Sequence, residues 1–109
     1  MKNETFDALA AVIRDRKKNP AEGSYTCYLF EKGLDKILKK VGEEASEVII
    51  AAKNGANDEL CMEVCDLLFH LLVLCENQNL PVADIYAELE ARSQKIGNLK
   101  QMKVVDHNT

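Results

Sequence analysis

The chain has 109 residues, of which 47% are hydrophobic and 29% charged, with a formal net charge of −4. That length suits one domain around one core, and that balance excludes wholesale disorder. The acidic surplus excludes nucleic acid as the main partner, because no excess of lysine and arginine is available to neutralise phosphates.

The opening stretch MKNETFDALAAVIRDRKK lacks the apolar run and small-residue cleavage site of a secretory signal, so a cytoplasmic chain is expected. Its spacing of Phe6, Leu9, Ala10 and Ile13 predicts a first helix from about Thr5 to Lys18. Asn19-Pro20 ends it, and a loop runs through Gly23. Ser24 suits the N-cap of a long second segment that reaches Lys53 and stops at Asn54-Gly55. Gly33 interrupts that segment, either as a kink or as a break between two helices. Asn57 or Asp58 caps the next helix, which runs to about Asn77. Leu80-Pro81 marks a turn, and a last helix follows with Asp84 in its first turn and Ile85, Leu89 and Ile96 inward. From Gly97 the periodicity is lost, so residues 1–96 are expected to form the domain and residues 97–109 a mobile tail. No segment reads as a strand. The expected fold is an all-α bundle of four to five helices.

The segment LCMEVCDLLFHLLVLC, Leu60 to Cys75, is too short and too interrupted by charge to span a bilayer, so no membrane is expected. Its only polar side chains are Glu63, Asp66 and His70, which at about 100° per residue fall within an arc of about 60°. An otherwise apolar helix has to be surrounded by protein, which predicts that Glu63 and Asp66 project from a largely interior segment. One small bundle does not cover every side of such a helix, so a homodimer is expected to bury the surplus. Cys27, Cys61, Cys65 and Cys75 form no C-x-x-C pair, and Cys61 and Cys65 read as small core residues.

Between Leu34 and Lys53, a stripe of Leu34, Leu38, Val41, Ala45, Val48, Ile49 and Ala52 is the expected core face. Lys36, Lys40, Glu43, Glu44 and Glu47 occupy the neighbouring strip. Alone, that strip reads as a solvated acidic face, or as salt bridges on a helical dimerisation module. Glu44 and Glu47 stand three residues apart, however, as do Glu63 and Asp66 on the other helix. Two antiparallel helices carrying such pairs can converge on one hard cation with four oxygen donors. Mg²⁺ fits that description, and Mn²⁺ can use the same ligands. A di-iron carboxylate site would need two Glu-x-x-His pairs, and neither His70 nor His107 stands three residues after a glutamate. His70 is expected to pack or hydrogen-bond beside the site rather than to ligate.

Glu43-Glu44-x-x-Glu47 followed by Glu63-x-x-Asp66 resembles the EExxE…ExxD signature of the MazG-like all-α nucleotide pyrophosphohydrolases. Ser24-Tyr25-Thr26, Leu29, Lys32-Gly33, Ile37, KKVGEEASEVIIAAKNG and DLLFHLLVL resemble more specifically the phosphoribosyl-ATP pyrophosphatase family of histidine biosynthesis, over about residues 5–92. The resemblance implies a MazG-like bundle and metal ligands at Glu44, Glu47, Glu63 and Asp66, with Glu43 completing the motif. It also implies hydrolysis of the α–β phosphoanhydride of phosphoribosyl-ATP to phosphoribosyl-AMP and pyrophosphate. A house-cleaning hydrolase of ordinary or damaged nucleoside triphosphates would use the same cluster. In either case Glu47 or Glu43 is the candidate to orient or deprotonate the attacking water. Lys32, Lys36 and Lys40 are the candidate substrate-binding cations, aligned at i, i+4 and i+8 if one helix continues through Gly33. Arg16 and Arg92 are further cationic candidates.

Overall fold

The computed structural model describes residues 4–95, which form five helices: α1 Glu4–Lys18, α2 Tyr25–Lys32, α3 Leu34–Lys53, α4 Asn57–Asn77 and α5 Val82–Lys95. The fold is all-α, as the periodicity predicts. The expected tail and the inward Ile96 lie outside the described residues. Among the described residues, no helix is long and apolar enough to cross a membrane.

The helix ends follow from local chemistry. Glu4 and Asp7 open α1 and Arg16, Lys17 and Lys18 close it, each sign facing the favourable end of the helix dipole. Ser24 Oγ accepts the Cys27 N–H at 3.2 Å and so caps α2. Cys27 Sγ reaches back to the Arg16 carbonyl at 3.4 Å, which ties the α1–α2 loop to the helix it leaves.

Gly33 is a break rather than a kink. Its φ of 91° and ψ of −171° stop α2 and start α3, and its N–H donates to the Leu29 carbonyl at 2.9 Å. An L side chain rarely adopts that φ, so glycine is what permits the chain to turn there. Of the two alternatives for the segment from Ser24 to Lys53, the break between two helices is the one that holds. Lys32 belongs to α2, while Lys36 and Lys40 belong to α3.

The core is small. Ile13, Leu29, Ile37 and Val73, one from each of the first four helices, are at most 1% exposed, with Leu9, Phe30, Phe69, Leu72 and Leu74 packed around them. The Lys17 ammonium joins α1 to the end of α4, donating to the Glu76 carbonyl at 2.8 Å and to Asn79 Oδ1 at 3.1 Å. None of the α5 side chains is buried.

Two expectations about which faces turn inward are overturned. The buried residues of α3 are Ile37, Glu44 and Ala51, not the apolar stripe. Leu34, Leu38, Ile49 and Ala52 of that stripe are exposed, while Val41, Ala45 and Val48 are half-buried. Seven-residue spacing places Ile37, Glu44 and Ala51 along the seam between the apolar and the charged strips. Helix α4 packs along that seam and so meets both.

Nor is α4 an interior helix in this chain. Its buried residues are His70 and Val73 alone, while Met62, Val64, Leu68 and Leu71 are exposed, as are Cys61 and Cys65, which are therefore not core residues. Glu63 and His70 of the polar arc turn toward the bundle beside Val73, Phe69, Leu72 and Leu74, while one apolar flank of α4 is left facing outward. The reason is geometric: α3 is the main neighbour of α4, and it meets α4 along the seam that carries Glu44.

Candidate metal centre

Helices α3 and α4 each place a pair of carboxylates on facing turns. One carboxylate oxygen from each of Glu44, Glu63 and Asp66 comes within 4.8 Å of the others. Glu44 is buried at 6% exposure, Glu63 is half-buried and Asp66 is open to solvent. The trio is therefore rooted in the bundle and open on one side. Glu44 Oε2 and Glu63 Oε2 are buried with no hydrogen-bond partner. Orphaned anionic oxygens are costly, and a cation is the ordinary remedy.

Glu47, an exposed residue one turn along from Glu44, lies against Glu63. A hydrogen bond with Glu47 is the largest cause that pushes the Glu63 carboxyl from its ordinary 4.5 up to about 7. Burial adds to this, and so do the charges of Glu47, Glu44 and Asp66. Four carboxylates crowd one spot, and a proton on Glu63 relieves them. A divalent ion would relieve them more completely. The all-oxygen donor set suits a hard ion such as Mg²⁺, so the residues present fit such a group.

The ammonium nearest the cluster is that of Lys40, 3.5 Å from Glu44 Oε1 and 3.5 Å from Glu43 Oε1. Partial burial works against its charge, yet Tyr25, Glu43 and Glu44 outweigh this and hold its pKa above the usual lysine value. Glu43 thus sits on the outer flank of the cluster, engaged by Lys40.

Behind the carboxylates, His70 Nδ1 is 2.7 Å from the Asp66 carbonyl, and His70 Nε2 is 2.9 Å from the Tyr25 hydroxyl. A carbonyl only accepts, so Nδ1 carries the proton and, in the neutral ring, Nε2 receives the Tyr25 O–H. His70 therefore braces the turn that carries Asp66, with both ring nitrogens engaged. Partial burial pushes the Tyr25 phenol above its ordinary value; Lys40 opposes this, and Glu44, Tyr28 and Glu43 reinforce it.

Tyr28 stacks on Tyr25 with ring centroids 6.0 Å apart. Lys32 and Lys36 place their ammonium groups 5.8 and 5.9 Å from the Tyr28 centroid. Neither lysine forms an ion pair among the described residues. Arg16 and Arg92 are each held by a carboxylate of their own helix, Asp15 at 3.2 Å and Glu88 at 2.9 Å. Tyr25 and Tyr28 were missing from the residues singled out by chemistry. Their i, i+3 spacing, with Lys32 four residues on, was the available signal.

The family described as phosphoribosyl-ATP pyrophosphohydrolase matches residues 6–93. Phosphoribosyl-ATP pyrophosphatase of Clostridium acetobutylicum is 57% identical over 100 residues, covering 92% of this chain and 91% of that protein. The protein of the same name from Clostridium botulinum strain Hall is 58% identical over 99 residues, covering 91% and 90%. The histidine biosynthesis bifunctional protein HisIE of Caldanaerobacter subterraneus is 59% identical over 92 residues, covering 84% of this chain but 45% of that longer protein. With its paired carboxylates inside the matched residues, the chain belongs to the phosphoribosyl-ATP pyrophosphohydrolase family.

Proposed function

We propose that the protein hydrolyses phosphoribosyl-ATP to phosphoribosyl-AMP and pyrophosphate in histidine biosynthesis, in the cytoplasm. The observation that carries the reading is the convergence of Glu44, Glu63 and Asp66 oxygens within 4.8 Å, in a chain of this family. Glu44, Glu47, Glu63 and Asp66 are the proposed holders of Mg²⁺, with Mn²⁺ as a substitute. When bound, the ion supplies charge neutralisation for the phosphates and a lowered pKa for a coordinated water.

The protein's own contribution is placement and electrostatics, as phosphoryl transfer requires. Glu47 is the proposed acceptor of the water's proton, a role supported by its open position beside Glu63. Glu43 is the alternative base; its pairing with Lys40 equally suits holding that ammonium toward the substrate. Lys32, Lys36 and Lys40 are the proposed substrate-binding cations. The water's oxygen bonds to phosphorus as the α–β anhydride breaks, and pyrophosphate leaves with the electron pair of the bridging oxygen.

A homodimer is part of the proposal. Ile49, Ile50 and Met62 are 63%, 58% and 67% exposed, and apolar faces of α3 and α4 that open to solvent favour association. Sedimentation velocity tests it, with a monomer at micromolar concentration as the contrary result.

The activity is tested by measuring pyrophosphate release from phosphoribosyl-ATP against a panel of canonical nucleoside triphosphates. Preference for phosphoribosyl-ATP is expected, and preference for the canonical set would refute the assignment in favour of a house-cleaning role.

A further inference from the structure

The proposed substrate carries two anionic ends: a triphosphate, and a separate 5-phosphate on its second ribose. The acidic cluster accounts for the first end only. Lys36, Lys40, Glu44 and Glu47 fall within about 80° of one another on α3, so a single face of that helix runs from basic to acidic. The rise from Lys36 to Glu44 is about 12 Å, on the scale of a ribonucleotide.

Helix α2 packs against α3 and carries its own residues in the same order. Tyr25 stands beside Lys40 and Glu44, and Tyr28 beside Lys36, with Lys32 on its own helix. Lys40 is committed to Glu43 and Glu44, whereas Lys32 and Lys36 are without ion pairs among the described residues. Two ammonium groups without ion pairs around one exposed ring repel each other, and a dianion between them relieves that repulsion. A phosphate monoester is such a group near neutral pH. The stacked tyrosines between the two ends present flat apolar surface suited to a purine or a ribose face.

We infer that Lys32, Lys36 and Tyr28 form a second subsite that binds the 5-phosphate monoester, and that this subsite distinguishes phosphoribosyl-ATP from ATP. The inference rests on the proposed substrate and concerns its specificity. In it, Lys32 and Lys36 fix the end of the substrate far from the reacting anhydride, and Tyr25 and Tyr28 set the distance between the ends.

The test is selectivity of the full chain in magnesium. The double variant Lys32→Gln/Lys36→Gln should lower the ratio of kcat/KM for phosphoribosyl-ATP over ATP by about tenfold or more, because it removes two charge-assisted contacts made by one substrate only. Lys32→Arg/Lys36→Arg should keep most of the ratio. A ratio unchanged in the glutamine variant, or a parallel fall for both substrates, overturns the subsite. A direct probe tests it apart from turnover. Ribose 5-phosphate titrated into metal-free protein should shift the NMR ring signals of Tyr28, and these shifts should vanish in the glutamine variant. Absent or persistent shifts count against the subsite even if phosphoribosyl-ATP is hydrolysed. Shifts that behave as expected uphold the phosphate subsite even if the preferred triphosphate is a different one.

Discussion

Metal binding at the carboxylate cluster should release a countable fraction of a proton. Glu63 titrates at about 7 because Glu47 shares a hydrogen bond with it, and because burial and three neighbouring carboxylates oppose its charge. A divalent ion needs the deprotonated form, so binding expels whatever proton Glu63 holds. A group at about 7 is about 90% protonated at pH 6, about half at pH 7 and about 10% at pH 8, so about 0.9, 0.5 and 0.1 proton should leave. Apparent Mg²⁺ affinity should correspondingly fall about fivefold from pH 7 to pH 6. Titration calorimetry in buffers of different ionisation enthalpy reads the released protons as a slope. The same linkage has a second consequence in the metal-free protein. A carboxyl raised from 4.5 to about 7 binds more protons folded than unfolded between those values, so stability falls as pH rises through that window. Glu63→Gln should flatten both the calorimetric slope and the dependence of Tm on pH. A slope of zero at pH 6 in the parent protein, or one that survives Glu63→Gln, would falsify the picture of a shared cation site.

Three further outcomes are expected. Asp66→Ala should abolish pyrophosphate release while leaving the metal-free Tm unchanged or raised, since it removes one of the crowded charges; a large drop in Tm would mean that Asp66 is structural. Gly33→Ala should cost about 1–3 kcal/mol in urea unfolding, because φ of 91° is poorly accessible to alanine although nothing lies within 4 Å of the added methyl; an unchanged midpoint would show that the backbone relaxes there. Tyr25→Phe leaves Nε2 of the 5%-exposed His70 without its partner and should cost about 1–3 kcal/mol. If His70 braces the Asp66 turn, the same variant weakens Mg²⁺ binding in calorimetry, whereas unaltered affinity would limit the pair to packing.

The helices themselves were legible in the order of residues. Capping at Ser24, the stop at Asn54-Gly55 and the turn near Leu80-Pro81 are local chemistry, decided within a few residues by side chains that satisfy or deny backbone hydrogen bonds. The spacing Glu44/Glu47 and Glu63/Asp66 also identified which carboxylates share a face. Periodicity, however, records only what lies together on one helix and not what stands opposite. Whether Gly33 bends or breaks the chain depends on where α2 finds its partners, and Leu29 at 0% exposure shows that it packs into the core. Which face of α4 turns inward depends on its neighbour in the same way. An apolar majority suggests an interior helix, but α3 meets α4 along a seam that includes Glu44, so the polar arc of Glu63 and His70 turns inward and Met62 and Leu71 turn out. Contacts between residues far apart in the chain, such as Tyr25 with His70, leave no periodic trace and arise only when their two helices, α2 and α4, pack. Sequence determined the helices and the chemistry each one carries; tertiary packing decided which of their faces meet, because burial is a property of pairs of surfaces.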